Sequence, residues 1–102
     1  MKVVWTETAV AHLTAIHEYI GQTSPVYARV MVQRIWERAG KVLPFPEAGR
    51  TVPEVGADVR EVLEAPYRII YRAGPERVEI LAIIHERRGP DALHDVSPRR
   101  AT

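Results

Sequence analysis

The chain has 102 residues, 46% of them hydrophobic, which suffices for one domain with a modest core and leaves little room for a separate cofactor domain. Its 14 Lys and Arg are nearly balanced by 13 Asp and Glu, so the total charge does not indicate a nonspecific nucleic-acid binder. The absence of cysteine excludes a disulfide framework, thiol catalysis and cysteine-ligated zinc, and it fits a cytoplasmic location.

The first predicted elements are a short strand and an amphipathic helix. Residues 2–5 form a plausible first strand, and Thr6 or Thr8 can accept the free amide hydrogen bonds at the start of a helix. Four apolar residues then recur at spacings of four, three and four, which places them on one helical face. These residues are Ala9, Leu13, Ile16 and Ile20. Gly21 is expected to end the helix.

A second amphipathic helix is predicted after a short connection. Ser24 is a suitable N-cap, Pro25 fits the first helical position, and Pro44 and Pro46 are expected to close the helix. Its apolar face comprises Ala28, Met31, Val32, Ile35, Ala39, Val42 and Leu43. Two helices joined by so few residues must lie antiparallel, and each apolar stripe needs a surface to cover.

The second half of the chain has the pattern of a β-sheet, which would provide that surface. Residues 58–64, 67–72 and 77–88 are short runs rich in Val, Ile, Leu and Tyr, separated by turn residues, and they indicate an antiparallel meander. Residues 45–56 have the composition of a surface connection. The predicted fold is therefore α+β, in the order β-α-α-β-β-β, with a helical hairpin packed on one face of an antiparallel sheet. We expect a single domain over residues 1–102, with residues 89–102 as a poorly ordered tail.

The end of the last predicted strand is the first candidate for a functional site. It carries His85, Arg87 and Arg88, and neighbouring strands bring Arg60 and Arg68. Arginines stabilise a phosphate as its charge builds, and a histidine can transfer the proton. A basic cleft of these five residues would contain the groups that metal-free RNA cleavage needs.

The same residues also admit a structural interpretation. Arg87 and Arg88 would then be solvated residues at a strand end, Arg60 would pair with a carboxylate such as Glu79, and His85 would cap a backbone group. Both interpretations remain open at the level of sequence.

Two pairs of ring-bearing residues complete the candidates. Trp5 and Trp36 are the largest apolar side chains and are expected to anchor helix to sheet, while an exposed Trp36 would serve as a partner contact. His12 and His17 are five residues apart, a spacing that does not put two metal ligands on one helical face. We therefore predict no metal site and no cofactor.

Several motifs, taken in order from about Val3 to Arg88, resemble the ParE/RelE superfamily of toxins from bacterial type II toxin-antitoxin systems. Each motif alone is weak, but their order and spacing together are specific. They are an opening strand ending in Trp5, Ala9-x-x-x-Leu13-x-x-Ile16-x-x-Tyr19-Ile20, Ser24-Pro25-x-x-Ala28, Pro46-Glu-Ala-Gly49-Arg50, Arg60-Glu61, Tyr67-Arg-Ile-Ile-Tyr71 and Ile80-Leu-Ala-Ile-Ile-His-Glu-Arg-Arg88.

The resemblance implies a growth-inhibiting toxin that is neutralised by an antitoxin whose disordered segment folds as it binds. In this superfamily, RelE-like members are ribosome-dependent messenger-RNA endonucleases rich in Lys and Arg, whereas ParE-like members poison DNA gyrase. This chain is nearly neutral, has only Lys2 and Lys41 as lysines, and ends its last strand in a ParE-like Ile-His-Glu-Arg sequence. The ParE-like branch is therefore favoured, with RNA cleavage as the alternative.

Each branch implies its own site residues and partners. Under the ParE-like branch the partners are an antitoxin and DNA gyrase, and the expected target contacts are Arg60, Arg87, Arg88 and Trp36. Under the RelE-like branch the target is the ribosome with its messenger RNA, and the expected catalytic residues are Arg68, His85 and Arg87. Neither branch requires a cofactor, a metal, a membrane or a small-molecule substrate.

Overall fold

The structure, a computed structural model, describes residues 1–88. The predicted tail at residues 89–102 lies outside this range. Within the described range, neither helix is long and apolar enough to cross a membrane. The elements are β1 (Lys2–Trp5), α1 (Glu7–Gly21), α2 (Pro25–Gly40), β2 (Arg50–Thr51), β3 (Val59–Glu64), β4 (Tyr67–Ala73) and β5 (Arg77–His85).

Both helices begin at hydroxyl caps that the sequence predicts. The Thr6 hydroxyl accepts the amide of Ala9 at 3.1 Å, so Thr6 is the cap of α1. The Ser24 hydroxyl accepts the amide of Tyr27 at 3.1 Å at the start of α2. These bonds satisfy amides that have no partner within the helix.

The second helix ends earlier than predicted. α2 stops at Gly40 rather than at the prolines, and the chain continues in turns in which the amide of Val42 donates to the carbonyl of Ala39. Val42 is nevertheless buried against the main core, so its apolar character reflects packing beyond the helix and not helical periodicity.

The fold class is confirmed, and the predicted meander is present. β3, β4 and β5 pair antiparallel in a five-stranded sheet with the order β1-β5-β4-β3-β2. Two features differ from the expected antiparallel sheet of four strands. β1 pairs parallel to β5, with Val3 opposite Val78, and the predicted surface connection contains β2, whose Arg50 lies opposite Glu61. Both pairings join distant parts of the chain, which local sequence patterns do not specify.

The central strands are buried on both faces. Residues 69 and 70 are consecutive in β4, so their side chains point to opposite faces, and each belongs to a different apolar cluster. The helices cover the first face, where Met31 and Ile35 of α2 are fully buried. The opposite face carries the smaller cluster of Val52, Val59, Ile70, Leu81, Ala82 and Ile84.

The connection between α2 and β3 is held by a buried tyrosine. The Tyr71 hydroxyl donates to the carbonyl of Pro46 at 2.7 Å and accepts the amide of Gly49 at 3.2 Å. A Cβ atom on Gly49 would lie 2.8 Å from the carbonyl oxygen of Glu61 and would also collide with the tyrosine hydroxyl, so only glycine fits. Arg60 donates to the carbonyl of Gly49 at 2.9 Å.

We expect Tyr71→Phe to destabilise the protein by about 2 kcal/mol, because it leaves one buried amide and one partly buried carbonyl without their partner. This loss corresponds to a melting temperature lower by roughly 10 °C for a domain of this size. Urea and thermal denaturation measure the effect. Tyr19→Phe is the matched control, since Tyr19 is 73% exposed, and an equal loss in both variants would contradict the assignment.

The same tyrosine also predicts a loss of stability at alkaline pH. Burial raises the pKa of Tyr71, so the unfolded chain loses the phenolic proton first once the pH exceeds about 10, the ordinary value for tyrosine. The unfolded state then binds fewer protons than the folded state, and stability falls as the pH rises. The difference in unfolding free energy between wild type and Tyr71→Phe should therefore shrink above this pH.

Candidate functional site

The turn after β5 is fixed by three backbone amides. The amide of Glu86 donates to the carbonyl of Pro66 at 2.8 Å, which ties this turn to the β3–β4 turn. The amide of Arg87 donates to Nδ1 of His85 at 3.0 Å, and the amide of Arg88 donates to the carbonyl of His85 at 2.9 Å. His85 therefore caps a backbone group, and the turn holds Arg87 and Arg88 exposed beside it.

His85 lies on the helix-covered face of the sheet. It is directly opposite Tyr67 in the β4–β5 pairing, and the two rings meet edge to face with centroids 5.4 Å apart. Because Nδ1 accepts a hydrogen bond, the neutral imidazole carries its proton on Nε2. The ring can therefore donate a hydrogen bond, but it cannot accept a proton at Nδ1 without losing the bond from Arg87.

Arg68 lies on the opposite face. It follows Tyr67 in β4, so the two side chains point away from each other across the sheet. The Nε of Arg68 donates to Glu61 at 2.6 Å. Arg60 lies in β3 opposite Tyr71, away from Arg68 and His85, and it donates a hydrogen bond to the carbonyl of Gly49.

The predicted basic cleft is therefore not assembled. Strand alternation separates Arg68 from His85, and the pairing register places Arg60 several residues further along the sheet. The suggested pair between Arg60 and Glu79 is also wrong, because Glu79 pairs with Arg72 at 3.2 Å and with Arg77 at 2.9 Å.

Glu61 is the central charge of the second face. Its side chain is 3% exposed and binds both Arg68 and Arg50. Hydrogen bonding and attraction from Glu61 raise the pKa of Arg50, which lies at the surface. Sequence reasoning did not assign Glu61 a role of its own. The available signal was its alternation with Val59 and Leu63 along β3, which puts a carboxylate on an apolar strand face, where it needs a cationic partner.

A cleft between α1 and the end of β5 brings His12 and Tyr67 beside His85 and Arg88, a grouping that the sequence did not predict. Nδ1 of His12 accepts the amide of Ile83 at 3.2 Å, at a part of the β5 edge that β1 is too short to cover. Only the packing of α1 against β5 creates this arrangement, so no local pattern could have predicted it.

Trp36 combines packing with exposure. Its ring stacks on Trp5 with centroids 5.1 Å apart and planes 13° from parallel, which anchors α2 beside the end of β1. The side chain is still 54% exposed, so one face remains available to a partner. Across residues 1–88, no group of three or more His, Asp or Glu side chains could hold a metal ion.

We expect Glu61→Gln to lower the unfolding free energy by about 3 kcal/mol or more, because the largely buried Arg68 then loses the charge that compensates it. Arg50→Gln should cost much less, because Arg50 is 73% exposed and Glu61 keeps its bond to Arg68. Denaturant titration of the two variants measures the difference. Equal effects would contradict a structural role for the buried pair.

Comparison with known proteins places these features in a family. The sequence matches the family described as ParE toxin of type II toxin-antitoxin system, parDE, over residues 3–90. Toxin RelE2 of Caulobacter vibrioides is 42% identical over 88 residues, covering 85% of this chain and 97% of that protein.

Solved structures give the same fold. A chain of the chromosomal ParDE TA system from P. aeruginosa has a TM-score of 0.71 and 30% identity, covering 83% of this chain and 95% of that chain. A chain of the toxin-antitoxin complex RelBE2 from Mycobacterium tuberculosis has a TM-score of 0.54 and 22% identity, covering 82% and 95%, and this likeness concerns the fold alone. The chain described here belongs to the ParE toxin family of type II toxin-antitoxin systems.

Proposed function

We propose that this toxin inhibits DNA gyrase by binding it, without catalysing a reaction, and that a cognate antitoxin neutralises it. Membership of the ParE toxin family supports the target, because gyrase is the target that the ParE-like branch implies. The observation that carries the non-enzymatic mechanism is the placement of Arg68 and His85 on opposite faces of the sheet.

Metal-free RNA cleavage requires a cation and a proton-transfer group at the same phosphate. The guanidinium of Arg68 is bound to Glu61 at 2.6 Å on one face. On the other face, Nδ1 of His85 is occupied by the amide of Arg87. Bringing Arg68 and His85 to one phosphate would require breaking a buried ion pair and crossing the sheet, which disfavours a nuclease mechanism that depends on both residues.

The helical hairpin exposes apolar side chains, and we propose that the antitoxin covers them. Large apolar side chains are exposed on both helices, and exposed apolar patches are typical of sites that bind another protein. A disordered segment that folds on binding can wrap such a surface. The exposed residues are Val10, Tyr19, Val26, Tyr27, Val30 and Trp36.

Exposure supports three of the four proposed gyrase contacts. Arg87 and Arg88 are exposed and have no ion-pair partner among residues 1–88, so they can meet acidic groups on a target. Trp36 offers an exposed aromatic surface. Arg60 is better explained by its bond to the carbonyl of Gly49, and we assign it to the fold rather than to the target.

We expect the purified toxin to inhibit supercoiling by DNA gyrase in vitro and to increase cleaved DNA in the reaction. Gel analysis of plasmid topology measures both effects. Normal supercoiling at a large molar excess of folded toxin would contradict the proposal.

We expect Arg87→Glu to weaken this inhibition about tenfold, the equivalent of 1.4 kcal/mol, because the reversed charge would repel an acidic target surface. Arg34→Glu is the matched control, because Arg34 is an exposed arginine on α2 that makes no ion pair within residues 1–88. Titration of each variant in the supercoiling assay gives the comparison. Equal loss in both variants would indicate a general charge effect instead of a contact.

The name of the 42% identical relative, Toxin RelE2, keeps RNA cleavage as the second candidate. Its test is the cutting of messenger RNA in a translating extract. We expect no cutting by the wild-type toxin. Cutting that is abolished by His85→Ala would establish the nuclease and exclude a purely binding mechanism.

A further inference from the structure

We propose that the cleft between α1 and the end of β5 binds the carboxylate of an acidic side chain on a protein partner. The cleft has a volume of about 170 Å³, a size suited to one side chain and too small for an extended ligand. It is lined by His12, Ala15, Ile16, Tyr67, Ile83, Ile84, His85 and Arg88.

The orientation of His85 makes it a hydrogen-bond donor towards a ligand. The backbone amide of Arg87 occupies Nδ1, so the proton of the neutral ring is on Nε2. The edge-to-face contact with Tyr67 holds the plane of the imidazole. A ring fixed in this tautomer favours ligands that accept hydrogen bonds.

Tyr67 contributes a second donor. Its side chain is 7% exposed and lines the cleft, yet its hydroxyl has no hydrogen-bond partner among the described residues. Burial raises the pKa of Tyr67, so the hydroxyl remains protonated well above neutral pH. The hydroxyl oxygen is not among the buried polar atoms that lack a partner, so it reaches solvent and can donate to a ligand that enters the cleft.

Arg88 gives the cleft a positive charge, and apolar side chains form part of its walls. Its guanidinium has no ion-pair partner within residues 1–88. No carboxylate lines the cleft. A ligand that only accepts hydrogen bonds, carries a single negative charge and has an apolar stem would satisfy the donors and pack against the side chains of Ala15 and Ile16. The side chain of Glu or Asp has these properties.

The negative charges around the cleft favour a protein ligand over a polynucleotide. α1, which forms one wall, carries Glu7 and Glu18 and no Lys or Arg. Glu64 lies opposite Tyr67 in the β3–β4 pairing, and the exposed Glu86 follows His85. A nucleic acid would bring further phosphates against these carboxylates, whereas one acidic side chain would not.

This inference rests on the part of the proposed function that gives the toxin a protein partner, and it is independent of gyrase as the target. Its test uses the isolated full-length toxin and no target enzyme. The supercoiling assay can therefore fail while the cleft still binds, and the cleft can fail to bind while supercoiling is inhibited.

The experiment is an NMR titration of the full-length toxin at constant ionic strength and pH 7.5. The probes are the blocked peptide acetyl-Leu-Glu-Leu-amide, its Gln counterpart and the dinucleotide UpU. We expect saturable shifts of the His85 and Tyr67 ring signals with the Glu peptide and at least fivefold weaker binding of the Gln peptide. Tyr67→Phe and Arg88→Gln should each weaken binding of the Glu peptide about tenfold, as for loss of a hydrogen bond to a charged group. Arg34→Gln should bind like wild type.

Long-range ¹H–¹⁵N spectra of the imidazoles provide a second measurement that does not depend on a variant. We expect His85 to carry its proton on Nε2. Three results would overturn the proposal: a proton on Nδ1 of the neutral ring, equal binding of the Glu and Gln peptides, or tighter binding of UpU than of the Glu peptide. Tyr67→Phe keeps the ring that packs against His85, and its spectrum shows directly whether the fold is retained.

Discussion

The alternation of side chains along β4 is the constraint on which the rest of the structure depends. Tyr67, Ile69 and Tyr71 face the helices, while Arg68 and Ile70 face the other side. The first set packs in the helix-covered core. Within it, the Tyr71 hydroxyl binds the connection between α2 and β3, and the Tyr67 ring contacts His85 at the end of β5. The second set anchors the buried carboxylate and the smaller cluster. A shift of one residue in the pairing would exchange these roles and expose the core to water.

This alternation also separates Arg68 from His85, two of the three residues of the predicted catalytic centre. Glu61 binds Arg68 of β4 on one face, and His85 at the end of β5 lies on the other. A toxin arranged in this way presents fixed charges, an exposed tryptophan and an apolar helical surface to other macromolecules. Those features suit recognition of another macromolecule, which needs complementary surfaces.

Much of the fold could be predicted because its signals are local. The caps at Thr6 and Ser24, the apolar stripe of α1 and the three strands of the meander all follow from short-range patterns. The parallel pairing of β1, the short β2 and the partners of Glu61 depend on contacts between distant segments, which sequence periodicity does not encode. The arrangement of the candidate site also depends on contacts between distant segments. His85 was identified as a functional candidate, but its separation from Arg68 and its proximity to His12 arise only from the register and from helix packing.

We propose that this member of the ParE toxin family acts on gyrase by binding and without cleaving RNA. The most direct measurement is a time course in cells after induction of the toxin without its antitoxin, following DNA breaks and protein synthesis in the same culture. The account predicts that DNA breaks appear first and that translation declines later. Arrest of translation before any DNA damage would contradict it.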